Sequence, residues 1–340
     1  MKADVKAAKL KDVAALVGCS LATVSRVLND APYVDVELKD RVLRAVKKLH
    51  YVPNGPARAL RSTTTRLVGA VIPTLSHAIY ANMIEGLQSR LAENKVSLII
   101  STSFYDLDVE FEQVRMLVER GVESIVLVGS SHRLETLSLL DRYNVGYIFT
   151  YTTELAGKSA AVGFDNVSAG QTAARYLFDL GHRSFGMIAG ITQDNDRAAN
   201  RLAGFRSGLS EFGITESAIA VREAPYKVES GAAAMAELMS MPNPPTAVFC
   251  GSDILAAGAL KYCAAQSIPV PDAVSVLGFD NLEVAQMTSP ELSTLEVPAE
   301  EMGRRAAEYI LLSPAQRNHS RQTELAIRLV MRRSTAPRNR

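Results

Sequence analysis

Short apolar runs alternate with amphipathic helical stretches through most of this 340-residue chain, and this alternation limits its fold more than any other feature. A first series of apolar runs covers residues 67–72, 96–101, 124–128 and 147–150. A second series covers 161–164, 185–189, 219–222, 247–250 and 274–278, and 326–332 is a candidate last strand. Such runs separated by helices are typical of parallel sheets covered on both faces. Two series predict two doubly wound α/β lobes facing one another across a cleft, where the carboxyl ends of the strands collect ligands.

The first 50 residues have a different pattern, which predicts a helix-turn-helix. Apolar residues recur at helical spacing from Leu10 to Val17, and Gly18 then permits a tight turn. Ser20 is placed to cap a second helix whose inner face contains Val24, Val27 and Leu28. The second helix of such a pair can enter the major groove of DNA. Two amphipathic helices in an ordinary small bundle would show the same spacing, so this pattern alone leaves both interpretations open.

A third helix completes the predicted three-helix head. Asp35 is a plausible cap, and the helix runs to about His50. Its inward residues are predicted to be Val36, Val42, Leu43, Val46 and Leu49. Its solvated faces then contain the basic residues Lys39, Arg41, Arg44, Lys47 and Lys48, which either contact phosphates or are simply hydrated.

The charge distribution favours a head that binds nucleic acid. Residues 1–65 contain 12 Lys and Arg against 6 Asp and Glu, a balance of +6, whereas the remainder has 25 against 30, a balance of −5. The net charge of +1 conceals this asymmetry. A basic module joined to an acidic body is the electrostatic pattern of a DNA-binding domain attached to a second function.

Other classes of protein find no support in the sequence. Three scattered cysteines and five scattered histidines lack metal-ligand spacing, so we expect no metal and no disulfide. Phosphate-loop, dinucleotide and hydrolase motifs are missing, so we expect no cofactor, no catalytic residues and no enzyme. No apolar stretch is long enough to span a membrane and no secretory signal is present, so we expect a cytoplasmic protein.

Several sequence runs resemble the LacI/GalR family of bacterial transcription regulators. They are Lys11–Ala14, Val17–Gly18, Ser20, Ala22–Asn29, Arg201–Phe205 and Gly278–Asp280. The resemblance implies a helix-turn-helix head on a two-lobed core similar to periplasmic sugar-binding proteins. It also implies a homodimeric repressor that binds a near-palindromic double-stranded operator under the control of a small molecule. A solute-binding receptor of the same core fold without DNA function is the alternative.

The resemblance assigns the DNA-contacting residues. On the second helix they are Leu21, Ala22, Thr23, Ser25, Arg26 and Asn29. The proline-flanked stretch 53–65 is, by its composition, a linker. By resemblance it is a hinge helix, in which Asn54 and Arg58 contact DNA and Leu60 wedges into a base step in the minor groove.

The resemblance also assigns the effector site. The predicted wall consists of Tyr80, Tyr151, Asn195, Arg197, Arg201, Tyr226, Ser252, Asp253 and Asp280. Arg201 and Asp280 are the principal contacts, and Tyr80 provides a stacking surface. The expected effector is a sugar, sugar acid or sugar phosphate, and Arg197 beside Arg201 favours an acidic or phosphorylated one. Asp165 and Asn166 are interpreted as a helix start.

The predicted domain boundaries follow from the same comparison. The head covers 1–52, and the hinge and linker cover 53–65. The N-terminal lobe takes 66–164 plus 294–322, and the C-terminal lobe takes 165–293 plus 323–335. A disordered tail of 336–340 lacks leucine heptads, so association beyond a dimer is not expected.

Overall fold

The computed structural model describes residues 7–28, 34–52, 64–153, 159–313, 316–317 and 322–338. They divide into two compact units, 1–65 and 66–340, which correspond to the head and the body. The proposed hinge residues Asn54, Arg58 and Leu60, together with Asn29 of the head, lie outside the described residues.

The head is a bundle of three helices. They are α1 (Leu10–Val17), α2 (Leu21–Leu28) and α3 (Val36–Lys48). Their contact surface consists of small and branched residues, namely Val13, Ala14, Val17, Val24, Val27, Val42 and Ala45. Val36 and Leu43, predicted to point inward, are instead exposed by 76% and 45%. Ala45 is buried in the α3 face in their place, because a short three-helix bundle needs only a narrow apolar stripe.

The N-terminal lobe is built on a six-stranded parallel sheet in the order β11-β5-β4-β3-β1-β2. Its strands are β1 (Leu67–Ile72), β2 (Ser97–Thr102), β3 (Ser124–Val128), β4 (Gly146–Thr150), β5 (Ala161–Gly163) and β11 (Gln322–Glu324). Its helices are α4 (Ala78–Glu93), α5 (Leu107–Glu119), α6 (Leu134–Arg142) and α12 (Ala299–Leu311). The helices cover both faces, as the uninterrupted burial of β3 requires.

The C-terminal lobe repeats this plan with the order β12-β10-β9-β8-β6-β7. Its strands are β6 (Phe185–Gly190), β7 (Ile219–Ala224), β8 (Ala247–Cys250), β9 (Ser275–Asp280), β10 (Ser293–Glu296) and β12 (Arg328–Val330). Its helices are α7 (Asn166–Asp179), α8 (Asp196–Ser210), α9 (Val228–Met239), α10 (Asp253–Ala265) and the short α11 (Val284–Met287), with a 3₁₀ turn at Glu216–Ala218. Only β12 runs antiparallel to its neighbour among the described strands of this sheet.

The chain passes between the lobes three times, although two passages differ from the predicted boundaries. Residues 294–296 belong to the second sheet, since β10 pairs with β9 through Glu296. Residues 323–324 belong to the first sheet, since β11 pairs with β5 through Glu324. Strands of three or four residues leave too little pattern to fix such boundaries.

The expected disordered tail is partly ordered. Within 336–338, the Ala336 amide donates to Ser275 Oγ (3.1 Å) and the Arg338 amide donates to the Leu180 carbonyl (2.7 Å). These residues therefore extend the C-terminal lobe beyond 335.

Glycines bring the long helices of each lobe into backbone contact. A Cβ at Gly86 of α4 would overlap the Glu300 carbonyl of α12, and one at Gly303 of α12 would overlap the Met83 carbonyl of α4. The pairs α7–α8 and α9–α10 use Gly170 with Gly204 and Gly231 with Gly258 in the same way. Sequence periodicity carries no signal for this close packing.

We expect Gly303→Ala to destabilise the body by about 1–3 kcal/mol, because the new methyl group meets backbone that cannot rotate away. Urea unfolding of the purified protein measures the change. Ser89→Ala on the exposed side of α4 is the control, with a change within about 0.5 kcal/mol. Equal stability of Gly303→Ala and the wild type would contradict the packing described.

Among the described residues, no helix combines the length and apolar character needed to cross a bilayer.

Candidate functional site

The outer face of α2 is accessible, as a DNA-reading surface requires. Leu21, Ala22 and Arg26 are exposed and Thr23 and Ser25 are partly exposed, whereas Val24 and Val27 are buried. The face follows from the helical period, which turns the two valines toward α1 and α3. Small, hydroxylic and basic side chains at accessible positions suit contacts with base edges and phosphates.

Two polar contacts fix the turn between α1 and α2. Ser20 Oγ accepts from the Thr23 amide (3.1 Å) and lies 2.9 Å from Thr23 Oγ1, so it caps α2 as predicted. Gly18 adopts the left-handed conformation (φ 73°). Arg41, predicted to be solvated, donates to the Val17 carbonyl (2.6 Å) at the end of α1. The start of α2 is thereby held relative to the other two helices.

The body contains a cavity between its two lobes, at the carboxyl ends of both sets of strands. Its empty volume, including the opening to solvent, is about 510 Å³. The N-terminal lobe contributes His77, Ile79, Tyr80, Tyr105 and Tyr151. The crossover and the C-terminal lobe contribute Phe164, Arg197, Arg201, Tyr226, Gly251, Ser252, Ile254, Phe279, Asp280 and Leu282.

Seven of the nine predicted effector residues line this cavity, and two do not. Asn195 caps α8, where its Oδ1 accepts from the Ala198 amide (3.4 Å) and its Nδ2 donates to the Ile191 carbonyl (3.1 Å). Asp253 is fully buried beside the cavity, and its carboxylate accepts from the Leu282 amide (2.7 Å) and Thr294 Oγ1 (2.6 Å). Both side chains are occupied with holding the loops that carry their neighbours.

Arg201 is held in place at the floor of the cavity. Its NH1 donates to Asn166 Oδ1 (2.6 Å), and its guanidinium carbon lies 4.4 Å from the centre of the Phe279 ring. Asn166 Nδ2 in turn donates to the Tyr151 carbonyl (2.9 Å) of the other lobe. The buried Nε of Arg201 has no partner in the described part of the chain, so the side chain keeps a donor for a ligand. Asn166, predicted only to start a helix, is therefore a positioning residue as well.

Arg197 and its neighbour Asp196 reach across the cleft from the start of α8. Arg197 NH1 donates to the Val128 carbonyl (3.0 Å) of the N-terminal lobe and to Asp196 Oδ1 (2.8 Å). Asp196 Oδ2 accepts from the Ser130 amide and hydroxyl, both at 3.0 Å. Arg197 thus lines the cavity with its charge already matched by a carboxylate.

Aromatic side chains form the remainder of the wall. The hydroxyls of Tyr80 and Tyr105 are 3.4 Å apart, and Tyr105 Oη lies 3.3 Å from His77 Nδ1. His77 Nε2 lies 3.1 Å from the Tyr226 carbonyl of the other lobe. Burial lowers the pKa of His77 below its ordinary value, which favours the neutral ring. The wall therefore presents flat apolar faces together with hydroxyl groups.

Asp280 stands at the end of β9 in a strained backbone conformation. Its φ is 112° and that of Asn281 is 57°, values that non-glycine residues seldom adopt. Burial raises the pKa of Asp280 well above its ordinary value, with a further rise from nearby Asp253 and an opposing effect of Arg201. Burial likewise raises the pKa of Asp253 to about 7. The protein thus holds a carboxyl group in the cavity at a cost to its own stability, which is typical of a binding residue.

Sequence reasoning missed several lining residues, and available signals would have found some of them. Phe279 belongs to the run Gly278–Asp280 that carried the resemblance, and His77 lies three residues before Tyr80, which was selected. Tyr105 and Phe164 follow the carboxyl ends of β2 and β5, where the rule for ligands in parallel sheets points. Ile254 and Leu282 carry no such signal, because an apolar lining residue looks like core.

The described residues hold no cluster of three His, Cys, Asp or Glu side chains arranged to bind a metal ion.

Comparisons with known proteins agree with this arrangement. Residues 9–54 match the model described as bacterial regulatory proteins, lacI family, and residues 174–335 match the periplasmic binding protein-like domain. The HTH-type transcriptional repressor PurR of Klebsiella pneumoniae subsp. pneumoniae is 32% identical over 332 residues, covering 97% of both chains.

Solved structures show the same fold. A LacI family transcriptional regulator from Silicibacter pomeroyi superimposes with a TM-score of 0.86 at 25% identity, over 96% of this chain and 99% of that one. The transcriptional regulator CelR in complex with cellobiose gives a TM-score of 0.71 at 28% identity, over 96% and 99%.

The head and the two-lobed body define a class of protein, a helix-turn-helix regulator with a receptor-like core. The chain belongs to the lacI family of bacterial regulatory proteins. This membership confirms the predicted fold class and family, and it confirms that the protein is a regulator rather than an enzyme.

We expect Asp280→Asn to be more stable than the wild type at high pH. A buried carboxyl whose folded pKa is raised takes up protons on folding, so the wild type loses stability as the pH rises above the unfolded pKa of about 4. The neutral amide removes this loss. Urea unfolding from about pH 5 to about pH 8 measures the gap between the two proteins, which widens with pH.

The control for that series is Asp272→Asn, an exposed carboxyl in the same lobe. Its stability follows the wild type at every pH. A constant gap between Asp280→Asn and the wild type would show that Asp280 does not titrate in the folded protein as described.

Proposed function

We propose that this protein is a transcriptional repressor whose affinity for a near-palindromic operator is controlled by a small molecule bound between its lobes. The observation that carries this proposal is the pairing of an accessible α2 face with a cleft that holds Arg201 and Asp280 ready for a ligand. The 32% identical relative is a named repressor. Transcription of bacterial DNA takes place in the cytoplasm, so we propose that the protein acts there.

We propose that it acts as a homodimer. One head presents a single short reading helix, which covers too little DNA for specific recognition, and two heads reading two half-sites explain a two-fold symmetric operator. The alternative of a receptor without DNA function leaves the lacI-type head unexplained.

We propose a carbohydrate-type effector. At one end of the cavity Asp280 supplies acceptors and Arg201 supplies donors, the combination that suits neighbouring hydroxyl groups. Tyrosine and phenylalanine rings offer faces for the apolar side of a sugar ring. The 28% identical regulator CelR was solved with cellobiose.

We propose a neutral sugar rather than an acidic or phosphorylated one. The sequence favoured an anion because Arg197 and Arg201 were expected to face the ligand together. Asp196 pairs with Arg197 at 2.8 Å, so the charge of Arg197 is already matched within the protein. The two arginines therefore do not face the ligand as a pair of free cations, which removes the reason for expecting an anion.

The effector proposal is tested by calorimetry with ribose, cellobiose, gluconate, glucose 6-phosphate and hypoxanthine as probes. We expect a neutral sugar to bind, and we expect Asp280→Asn to weaken it at least tenfold, because a buried sugar hydroxyl loses its carboxyl partner, about 1–3 kcal/mol. Asp272→Asn keeps wild-type affinity. Binding of hypoxanthine alone, with all sugars silent, would replace the carbohydrate class by a planar base.

The DNA proposal is tested by selecting duplexes from a random pool and measuring their affinity at fixed salt. We expect a two-fold symmetric site, and we expect Arg26→Ala to weaken it at least tenfold, since a base or phosphate contact is lost in each half-site, about 1–3 kcal/mol per contact. Lys261→Ala on the exposed side of α10 is the matched control. Selection of no symmetric site, or equal losses in both variants, would contradict the assignment of α2.

The hinge proposal rests on the family resemblance, because Leu60 lies outside the described residues. We expect Leu60→Ala to weaken operator binding by about 2 kcal/mol while the affinity for the effector stays the same. Equal loss of both affinities would refute the hinge assignment.

A further inference from the structure

The loop of residues 129–131, after β3 of the N-terminal lobe, forms hydrogen bonds with the C-terminal lobe. Ser130 donates to Asp196 Oδ2 through its amide and its hydroxyl, and the Asp196 amide donates to Ser131 Oγ (3.2 Å). Gly129 has φ 84°, and a Cβ there would overlap the guanidinium of Arg197. The position of Arg197, a cavity residue, therefore depends on the position of this loop.

A buried pair of titratable side chains supports the loop from within its own lobe. His132 Nδ1 lies 2.7 Å from Glu110 Oε1 of α5, and His132 Nε2 lies 3.0 Å from the Gly129 carbonyl. The two side chains are exposed by only 1% and 7%. The ring also stacks on Phe149 of β4, with centroids 5.0 Å apart.

The two ring nitrogens of His132 contact different parts of the lobe. A carbonyl oxygen can only accept, so Nε2 donates to Gly129. Nδ1 faces the carboxyl group of Glu110 on α5. The ring therefore links α5 to the backbone of the loop.

We infer that Glu110 and His132 are a positioning pair, whose contacts hold the 129–131 loop against Asp196 and thereby set Arg197 in the cleft. Without the Glu110 carboxyl group, His132 loses one of these two contacts and the loop loosens. The N-terminal lobe then holds α8 less firmly. Neither residue belongs to the assigned DNA-contacting or effector-binding residues.

Hydrogen exchange of the full-length protein, read by mass spectrometry on a peptide spanning 127–133, tests the inference. The Ser130 amide reports directly, because its partner is Asp196 of the other lobe. We expect its protection factor to fall about tenfold or more in Glu110→Ala, because His132 then loses one of the two contacts that hold the loop.

Glu110→Gln is the decisive variant. Its side-chain amide can donate to Nδ1 while Nε2 donates to Gly129, so both contacts of the ring are kept. We expect protection within twofold of the wild type. Wild-type protection in Glu110→Ala, or a loss in Glu110→Gln equal to that in Glu110→Ala, would overturn the inference.

Two further variants complete the test. Glu112→Gln changes an exposed carboxylate on the same helix, which pairs with Arg115, and keeps the wild-type protection of Ser130. Asp196→Asn removes the charged acceptor and lowers Ser130 protection. Unchanged protection in Asp196→Asn would show that the bond between the lobes is not formed in solution.

The measurement uses no DNA and no effector. Its failure would leave the proposed function standing, and a failure of the DNA or effector experiments would leave this result unaffected.

Discussion

The guanidinium of Arg197 is the contact on which the described body depends. Arg197 belongs to one lobe and donates to a backbone carbonyl of the other. Asp196, beside it in the chain, neutralises its charge and accepts a hydrogen bond from a loop of the opposite lobe. A buried cation tolerates removal from water only when such partners surround it. Arg197 therefore both joins the two lobes and lines the cavity between them.

The cavity brings together residues in strained backbone conformations and a buried hydrogen-bond donor that is available to a ligand. Tyr151, Asp280 and Asn281 occupy left-handed or otherwise rare backbone conformations at strand ends, and the buried Nε of Arg201 has no partner among the described residues. Both features lower stability in the absence of a ligand, and a ligand that accepts from Arg201 would remove the second. A hydroxylated molecule that bonds Arg201 and Asp280 would therefore gain from interactions that the protein cannot make by itself.

Much of the fold was readable from the sequence, for identifiable reasons. Buried strands such as β3 are continuous apolar runs, and the capping residues Ser20 and Asp35 predicted the starts of α2 and α3. The last strand β12 lies within the predicted range 326–332. The three-residue strand β11 and the glycine contacts between helices were not predicted, because neither has a sequence period. In the site, Arg201 and Asp280 were predicted from short distinctive runs. Asn195 and Asp253 were also predicted to line the cavity, but residues close to them in the chain line it instead. The roles of Asn166, Glu110 and His132 depend on contacts between residues far apart in the chain.

The central claim is that binding of a small molecule in the cleft changes the affinity of the head for its operator. Coupling between two sites is reciprocal, so each ligand must change the affinity of the other by the same factor. Calorimetric titration of the selected effector into the free protein and into its complex with the selected duplex measures that factor directly. The account predicts that the effector Kd shifts about 5-fold to 150-fold when the operator is bound, and that the operator Kd shifts equally when the effector is bound. Identical effector affinity with and without the operator would contradict it.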